Sequence, residues 1–155
     1  MRKPPETISI PQPGEGKRGE GGYFGYLLRQ AAAAYRNRTD RALADLDVTS
    51  PQFAVMTMLK AYPGISNAEI ARLALLTPQT VSVIIANLER AGTIRRVPHS
   101  VHGRILQIEL TAGGAALLQQ CRERVHGIER ELSQGLPEAD EAAIRAWLVR
   151  VAKGE

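Results

Sequence analysis

Between Thr77 and Leu88 the chain carries Gln79, Thr80, Ser82, Val83, Ala86 and Asn87 on one side of a helical pattern and Val81, Ile84, Ile85 and Leu88 on the other. The second set falls at i, i+3, i+4 and i+7, the spacing of a buried stripe. The first set is therefore turned outward, and its side chains are short and polar or small. A solvated helix surface more often carries long charged side chains at i,i+4 spacing. The chemistry open to Gln79 and Asn87 is bidentate pairing with adenine; Thr80 and Ser82 can bond bases or phosphates, and Val83 can touch a thymine methyl. Short side chains also let a helix lie deep in a major groove. Taken alone, the same face is an ordinary polar surface, so its surroundings decide the reading.

Those surroundings are specific. Thr77-Pro78 starts the helix, with Thr as N-cap and Pro at the first helical position, and Gly92 offers the left-handed residue that closes it. Only a few residues upstream, Ser66-Asn-Ala-Glu69 forms a capping box that opens a short helix with Ile70, Leu73 and Ala74 facing inward. Two helices thus meet across a tight turn. After Gly92 the pattern shifts from period 3.6 to period 2: Ile94 and Val97 flank an arginine pair, and Ile105 to Leu110 carries β-favouring residues. Turn formers fill Pro98 to Gly103, which predicts a two-stranded ribbon with a loop. From Gly92 to Leu106 stand Arg95, Arg96, Arg104, His99 and His102 and no acid, so the ribbon is basic. Short helix, tight turn, capped helix and basic ribbon together match a helix-turn-helix with a wing.

The flanks are helical. Phe24, Leu27, Leu28, Ala31, Ala34 and Tyr35 share one face of a helix over about 23–45, and Thr49-Ser-Pro-Gln52 opens a second that Pro63-Gly64 ends. Thr111 caps a long helix carrying Leu117, Leu118, Cys121, Val125, Ile128 and Leu132, and a last helix carries Ile144, Trp147, Leu148 and Val151. The expected fold class is mostly α with a small β-wing, a winged helix-turn-helix flanked by N- and C-terminal dimerisation helices. The expected segments are a flexible tail over 1–22, a dimerisation helix over 23–47, the winged domain over 48–111 and dimerisation helices over 112–155. Composition agrees, with 155 residues, 44% hydrophobic but only 5% aromatic content, and a formal net charge of +4. A single cysteine forbids an intramolecular disulfide, residues 1–22 lack the apolar core of a secretory signal, and no apolar run approaches a membrane span, so a cytoplasmic protein without membrane contact is expected.

Residues 43–111 resemble the MarR family of bacterial transcriptional regulators. The matching words are Val48-Thr-Ser-Pro-Gln-Phe-Ala-Val55, Pro63-Gly-Ile-Ser-Asn-Ala-Glu-Ile-Ala71, Thr77-Pro-Gln-Thr-Val-Ser82, Leu88-Glu-Arg-Ala-Gly92 and Gly103-Arg104, followed by Leu110-Thr111. Their order and spacing carry the match, and helices on both sides extend it over most of the chain after residue 22. The resemblance implies a homodimer whose terminal helices interleave and whose two lobes meet one face of a double-stranded DNA operator, a pseudo-palindrome with half-sites about 10 base pairs apart. Long apolar stripes on terminal helices, wet in a monomer, point the same way. Such regulators mostly repress.

Carried over by residue, the resemblance assigns base and phosphate contacts to Thr77, Gln79, Thr80, Ser82, Val83 and Asn87, with Ser66 and Asn67 counted among the DNA-facing residues. Arg104 would enter the minor groove from the wing tip, and Arg95 and Arg96 would serve the phosphate backbone. The chain departs from the family where relatives place cations near 83–87, and at His102, where they place Asp. The first departure shifts positive charge to the wing; the second removes a carboxylate partner of Arg104. It also raises a reading in which protonation of His99 and His102 in mild acid adds wing charge and tightens DNA binding; a solvated turn histidine is the plainer alternative.

The resemblance further implies a small phenolic or anionic effector that releases DNA, with Tyr26, Arg29, Tyr35 and Met56 as wall residues. Core or dimer packing is the commoner role for such side chains. Cys121 lies in an apolar stripe, where an inert buried thiol is expected rather than a sensor. No cofactor or metal is expected. A metal or acid/base site built from His99, His102 and His126 lacks ligand spacing, and a winged module that binds only protein is the remaining alternative.

Overall fold

The computed structural model describes residues 9–155; the first eight residues of the expected tail lie outside them. The chain divides into two units, residues 1–38 and 39–155.

Within the first unit, a 3-10 turn at Gly16–Arg18 precedes α1 (Phe24–Leu43). The described part of the tail expected over 1–22 begins at residue 9. The stretch around Arg18 is bonded to α1 and to its own neighbours: the Arg18 guanidinium donates to the Gln30 side chain (3.1 Å) and the Pro11 carbonyl (2.8 Å), and Gln30 returns a bond to the Arg18 carbonyl (3.1 Å). Composition announces a tail; these long-range bonds leave no local signature. Phe24 and Tyr26 remain exposed on α1, and Leu27, Leu28 and Tyr35 are half-buried.

The second unit holds the end of α1, a 3-10 turn at Ala44–Leu46, α2 (Ser50–Ala61), α3 (Asn67–Leu73), α4 (Pro78–Arg90), β1 (Ile94–Pro98), β2 (Leu106–Leu110), α5 (Ala112–Ser133) and α6 (Glu138–Lys153). The helix starts follow the chemistry expected of them. Thr49 and Gln52 close one capping box, Ser66 and Glu69 another, and the Thr77 and Thr111 hydroxyls accept the N–H groups of Thr80 and Gly114. Each satisfies donors that have no partner inside the helix. The Ser66 backbone and hydroxyl hold the Glu69 carboxyl below the usual carboxylate range. Gly92, at φ +72°, closes α4: its own N–H bonds the Glu89 carbonyl (3.0 Å) and the Thr93 N–H bonds Leu88 (2.9 Å), the paired C-terminal bonds that a left-handed residue permits. α3 ends the same way on Leu75, at φ +56°, a conformation that costs a residue with a β-carbon about 1 kcal/mol and that the packed neighbours impose.

The core is continuous across the winged lobe: Val55, Met56 and Leu59 of α2, Ile70 of α3, Val81, Ile84, Ile85 and Leu88 of α4, Ile94 and Ile108 of the ribbon and Leu118 of α5. Leu43, Val48, Cys121 and Val125 form a second cluster, and Phe53 and Leu117 pack against both. Arg124 of α5 clasps the chain before α2, donating to both Asp45 carboxylate oxygens (2.8 Å to Oδ2) and to the Ala42 carbonyl (3.2 Å). That guanidinium holds the Asp45 carboxyl below its ordinary range. α6 has no buried residue, and Ile144, Leu148, Val149 and Val151 are each at least 43% exposed in the single chain.

The ribbon pairs antiparallel with Ile94 opposite Leu110 and Pro98 opposite Leu106. Its base is welded to α5 through the Thr93 carbonyl, which accepts from the Thr111 N–H (3.0 Å) and hydroxyl (3.2 Å), the hydroxyl also reaching the Gly92 carbonyl (2.7 Å). Gly114 packs so closely here that a β-carbon would fall on the Thr93 carbonyl oxygen. Gly114→Ala must push α5 off the ribbon, and we expect it to cost about 2–3 kcal/mol of stability, read as a lowered denaturant midpoint; an unchanged midpoint would mean that this joint yields freely.

Candidate nucleic-acid interface

The axes of α3 and α4 differ by 110°, and the turn between them runs only from Ala74 to Thr77. Burial of Val81, Ile84, Ile85 and Leu88 leaves every other position from Gln79 to Asn87 exposed, including Val83 at 61%. The expected contact residues are thus brought together on one outward face, but they are not chemically equivalent. The Thr77 and Thr80 hydroxyls are bonded to each other (2.9 Å), and the Ser82 hydroxyl donates to the Pro78 carbonyl (3.0 Å), so these groups offer mainly acceptor lone pairs. Among the described residues Gln79 has no protein partner, which leaves its amide free. Asn87 accepts from Arg90 Nη1 (3.2 Å) and keeps its NH₂ free.

Ser66 is exposed and committed to its capping box, while Asn67 is half-buried. Arg90 was missed by the sequence reading, which found this helix short of cations. It stands one turn beyond Asn87 and touches it, a relation that the i,i+3 spacing already allowed.

The wing carries its charge differently from the expectation. Arg95 lies directly across the ribbon from Glu109 and pairs with it (2.6 Å), and Arg96 pairs with Glu89 at the end of α4 (3.1 Å). The stretch Gly92 to Leu106 is free of acid in sequence, but strand pairing and the helix end supply two carboxylates from outside it. Arg104 is left as the wing cation with no ion pair among the described residues, exposed on a loop beside Val101 (75% exposed) and Ile105 (56%). Exposed pairs of this kind contribute about 0–1 kcal/mol each, so phosphates can compete for Arg95 and Arg96, but their charge is offset until they do.

Of the suggested effector-wall residues, Tyr26 and Arg29 line one surface groove along α1 with Pro13, Arg18, Gln30 and Asn37. Tyr35 is half-buried. Met56 is fully buried in the core of the winged lobe, where it packs as core and not as a wall. His99 and His102 adjoin at the wing tip, ring centroids 5.6 Å apart, while His126 stands on α5; no group of three His, Cys, Asp or Glu side chains placed to hold a metal occurs among the described residues. No single described helix is long and apolar enough to cross a membrane.

A bihelical reader followed by an antiparallel ribbon defines a winged helix-turn-helix protein. The model of the MarR family matches residues 48–106. The HTH-type transcriptional repressor Rv2887 of Mycobacterium tuberculosis is 38% identical over 106 residues, covering 68% of this chain and 76% of that protein. The structure of Rv2887 with salicylic acid superposes with a TM-score of 0.68 at 34% identity, covering 85% of this chain and 98% of that one. The Staphylococcus aureus MepR–DNA complex superposes with a TM-score of 0.78 at 25% identity, covering 85% and 96%. The chain belongs to the MarR family.

Cys121 has no solvent exposure, and burial pushes its thiol above the usual range, against the weaker pull of Arg124, which is itself committed to Asp45. The thiolate is the reactive form, so burial and the upward shift both disfavour reaction at Cys121 in the folded protein. A thiol reagent at neutral pH is expected to leave Cys121 unlabelled in the folded protein and to label it fully in denaturant; rapid labelling of the native protein would restore a sensing role.

Proposed function

We propose that the protein is a transcriptional repressor that binds a pseudo-palindromic operator as a homodimer and is released by a small phenolic or anionic effector. The observation that carries this reading is the outward face of α4, where Gln79, Val83 and Asn87 are exposed to solvent on a helix that crosses α3 at 110°. A helix so presented can enter a major groove while the helix before it crosses the phosphate backbone. The wing delivers Arg104 to the adjacent minor groove. MepR was solved on DNA and Rv2887 with salicylic acid, and the MarR family of both proteins supports the same pairing of DNA and effector here.

Dimerisation rests on α6 and the start of α1. A helix of 16 residues with none buried, but with Ile144, Leu148, Val149 and Val151 in a row of apolar positions, needs a second surface to cover it. The other protomer's terminal helices are that surface, and two-fold symmetry sets two reader helices about one turn of DNA apart. The effector is placed on the α1 groove, where Tyr26 offers a ring and hydroxyl and Arg29 a cation for an anionic aromatic compound. We place the protein in the cytoplasm, where its operator is. Repression then works by occlusion of a promoter, and the effector relieves it.

Selection of bound duplexes from a random pool tests the reading directly: a palindrome is expected to be enriched, and enrichment of none overturns it. If binding to bulk duplex proved independent of salt, the chain would instead be a winged module for protein partners. Gln79→Ala is expected to relax base preference at one position of each half-site. Arg104→Ala is expected to weaken all sequences alike and to flatten the salt dependence by about one unit. Glu109→Gln, which frees Arg95, is expected to steepen it by about one unit; an unchanged slope would show that Arg95 meets no phosphate.

A further inference from the structure

The wing tip, residues 99–105, has an internal architecture in which one side chain organises the backbone. His99 donates its N–H to the Ile105 carbonyl (2.7 Å), closing the loop at its base. Its ring Nδ1 accepts two backbone N–H groups, from Val101 (3.1 Å) and from His102 (3.2 Å). The Ile105 N–H then bonds the His102 carbonyl (2.8 Å), making a four-residue turn with Gly103 and Arg104 at its corners. His99 thus occupies the role that an Asp, Asn, Ser or Thr oxygen plays when it accepts the N–H groups two and three residues ahead. The residue it pins, His102, is the first residue of the turn that presents Arg104.

We infer that His99 is the positioning residue of the wing: as a neutral imidazole accepting at Nδ1, it holds the turn that aims Arg104. Both donors are backbone N–H groups, so the accepting nitrogen must carry a lone pair and Nε2 carries the proton. Protonation converts Nδ1 into a donor facing two donors, and the turn opens. The ionisable groups on the same loop are His102 and Arg104; on the strands below it Arg95 is paired with Glu109 and Arg96 with Glu89, and no carboxylate pairs with His99 among the described residues. Acid therefore has two opposed effects on the wing. Protonated His102 adds charge, but protonated His99 dismantles the presentation of Arg104, against the simpler expectation that acid tightens binding.

The inference about DNA rests on the proposed function, while the turn itself can be tested without it. In the free protein, the protection of the Val101 and His102 amides, taken as the exchange rate relative to the intrinsic rate at the same pH, is expected to be high at about pH 8 and lost at about pH 5.5, absent at both in His99→Ala, and high at both in His99→Asn, whose side-chain oxygen can accept the same two N–H groups. The DNA probe is the duplex that the wild-type protein enriches from a random pool at the higher pH. On it, His99→Ala is expected to bind about tenfold more weakly, as Arg104→Ala does, with the double variant no weaker than either. His99→Asn is expected to stay within about threefold of wild type. In a His102→Gln background, which removes the competing charge, affinity is expected to fall with acid when residue 99 is His and to stay level when it is Asn. Wild-type affinity in His99→Ala, full loss in His99→Asn, additive losses with Arg104→Ala, or a level pH profile in the His102→Gln protein would each overturn the inference. Failure to enrich any duplex would count against the proposed function, and the exchange measurements would still judge the turn.

Discussion

Everything the interface presents depends on one packing constraint, the burial of Val81, Ile84, Ile85 and Leu88 against α2 and α3. Fully burying side chains of this size is worth about 1.5–3 kcal/mol each, far more than any hydrogen bond on the opposite face. That difference fixes the rotation of α4 about its axis. Gln79, Val83 and Asn87 point to solvent because the alternative would wet four aliphatic side chains, not because anything holds them outward. The same stripe holds α3 against α4 at their steep crossing, strongly enough to impose a left-handed backbone on Leu75 where a glycine would be at ease.

The second joint is the Thr93 carbonyl. Thr111 binds it twice and also caps α5, and Gly114 lets the helix approach. Reader, ribbon and α5 are therefore one mechanical piece from Pro78 to Ser133. An effector or partner that shifted α5 would move the wing with it. The Arg124–Asp45 clasp extends this piece to the chain before α2.

Electrostatics are arranged more sparingly than the net charge of +4 implies. Two wing arginines are balanced by Glu89 and Glu109, and the reader face holds amides, hydroxyls and a valine, with Arg90 at its end. Counterion release, the non-specific part of DNA affinity, scales with the phosphates neutralised. On the proposed function, a surface so built would draw less on bulk charge and more on shape and base-edge pairing, a balance that favours discrimination over tight binding to any duplex.

The local elements were legible in the chain because their causes are local. Thr49, Ser66, Thr77 and Thr111 cap helices through bonds that span three residues, Gly92 closes α4 within one turn, and the i, i+3, i+4 stripe needs no partner to be recognised. Which residues face outward on α4 followed from that stripe. The pairings across sequence distance were not legible: Glu109 reaches Arg95 across the ribbon, Arg18 bonds to Gln30, Met56 belongs to the core, and His99 lends its ring to the turn beneath Arg104. Periodicity and capping report what a segment does with its own neighbours, since those interactions are short and repeat along the chain. Whether a given arginine is balanced, or a given histidine accepts a hydrogen bond, depends on which distant groups the packed core happens to bring within 3 Å or so of it, and only the tertiary structure decides that.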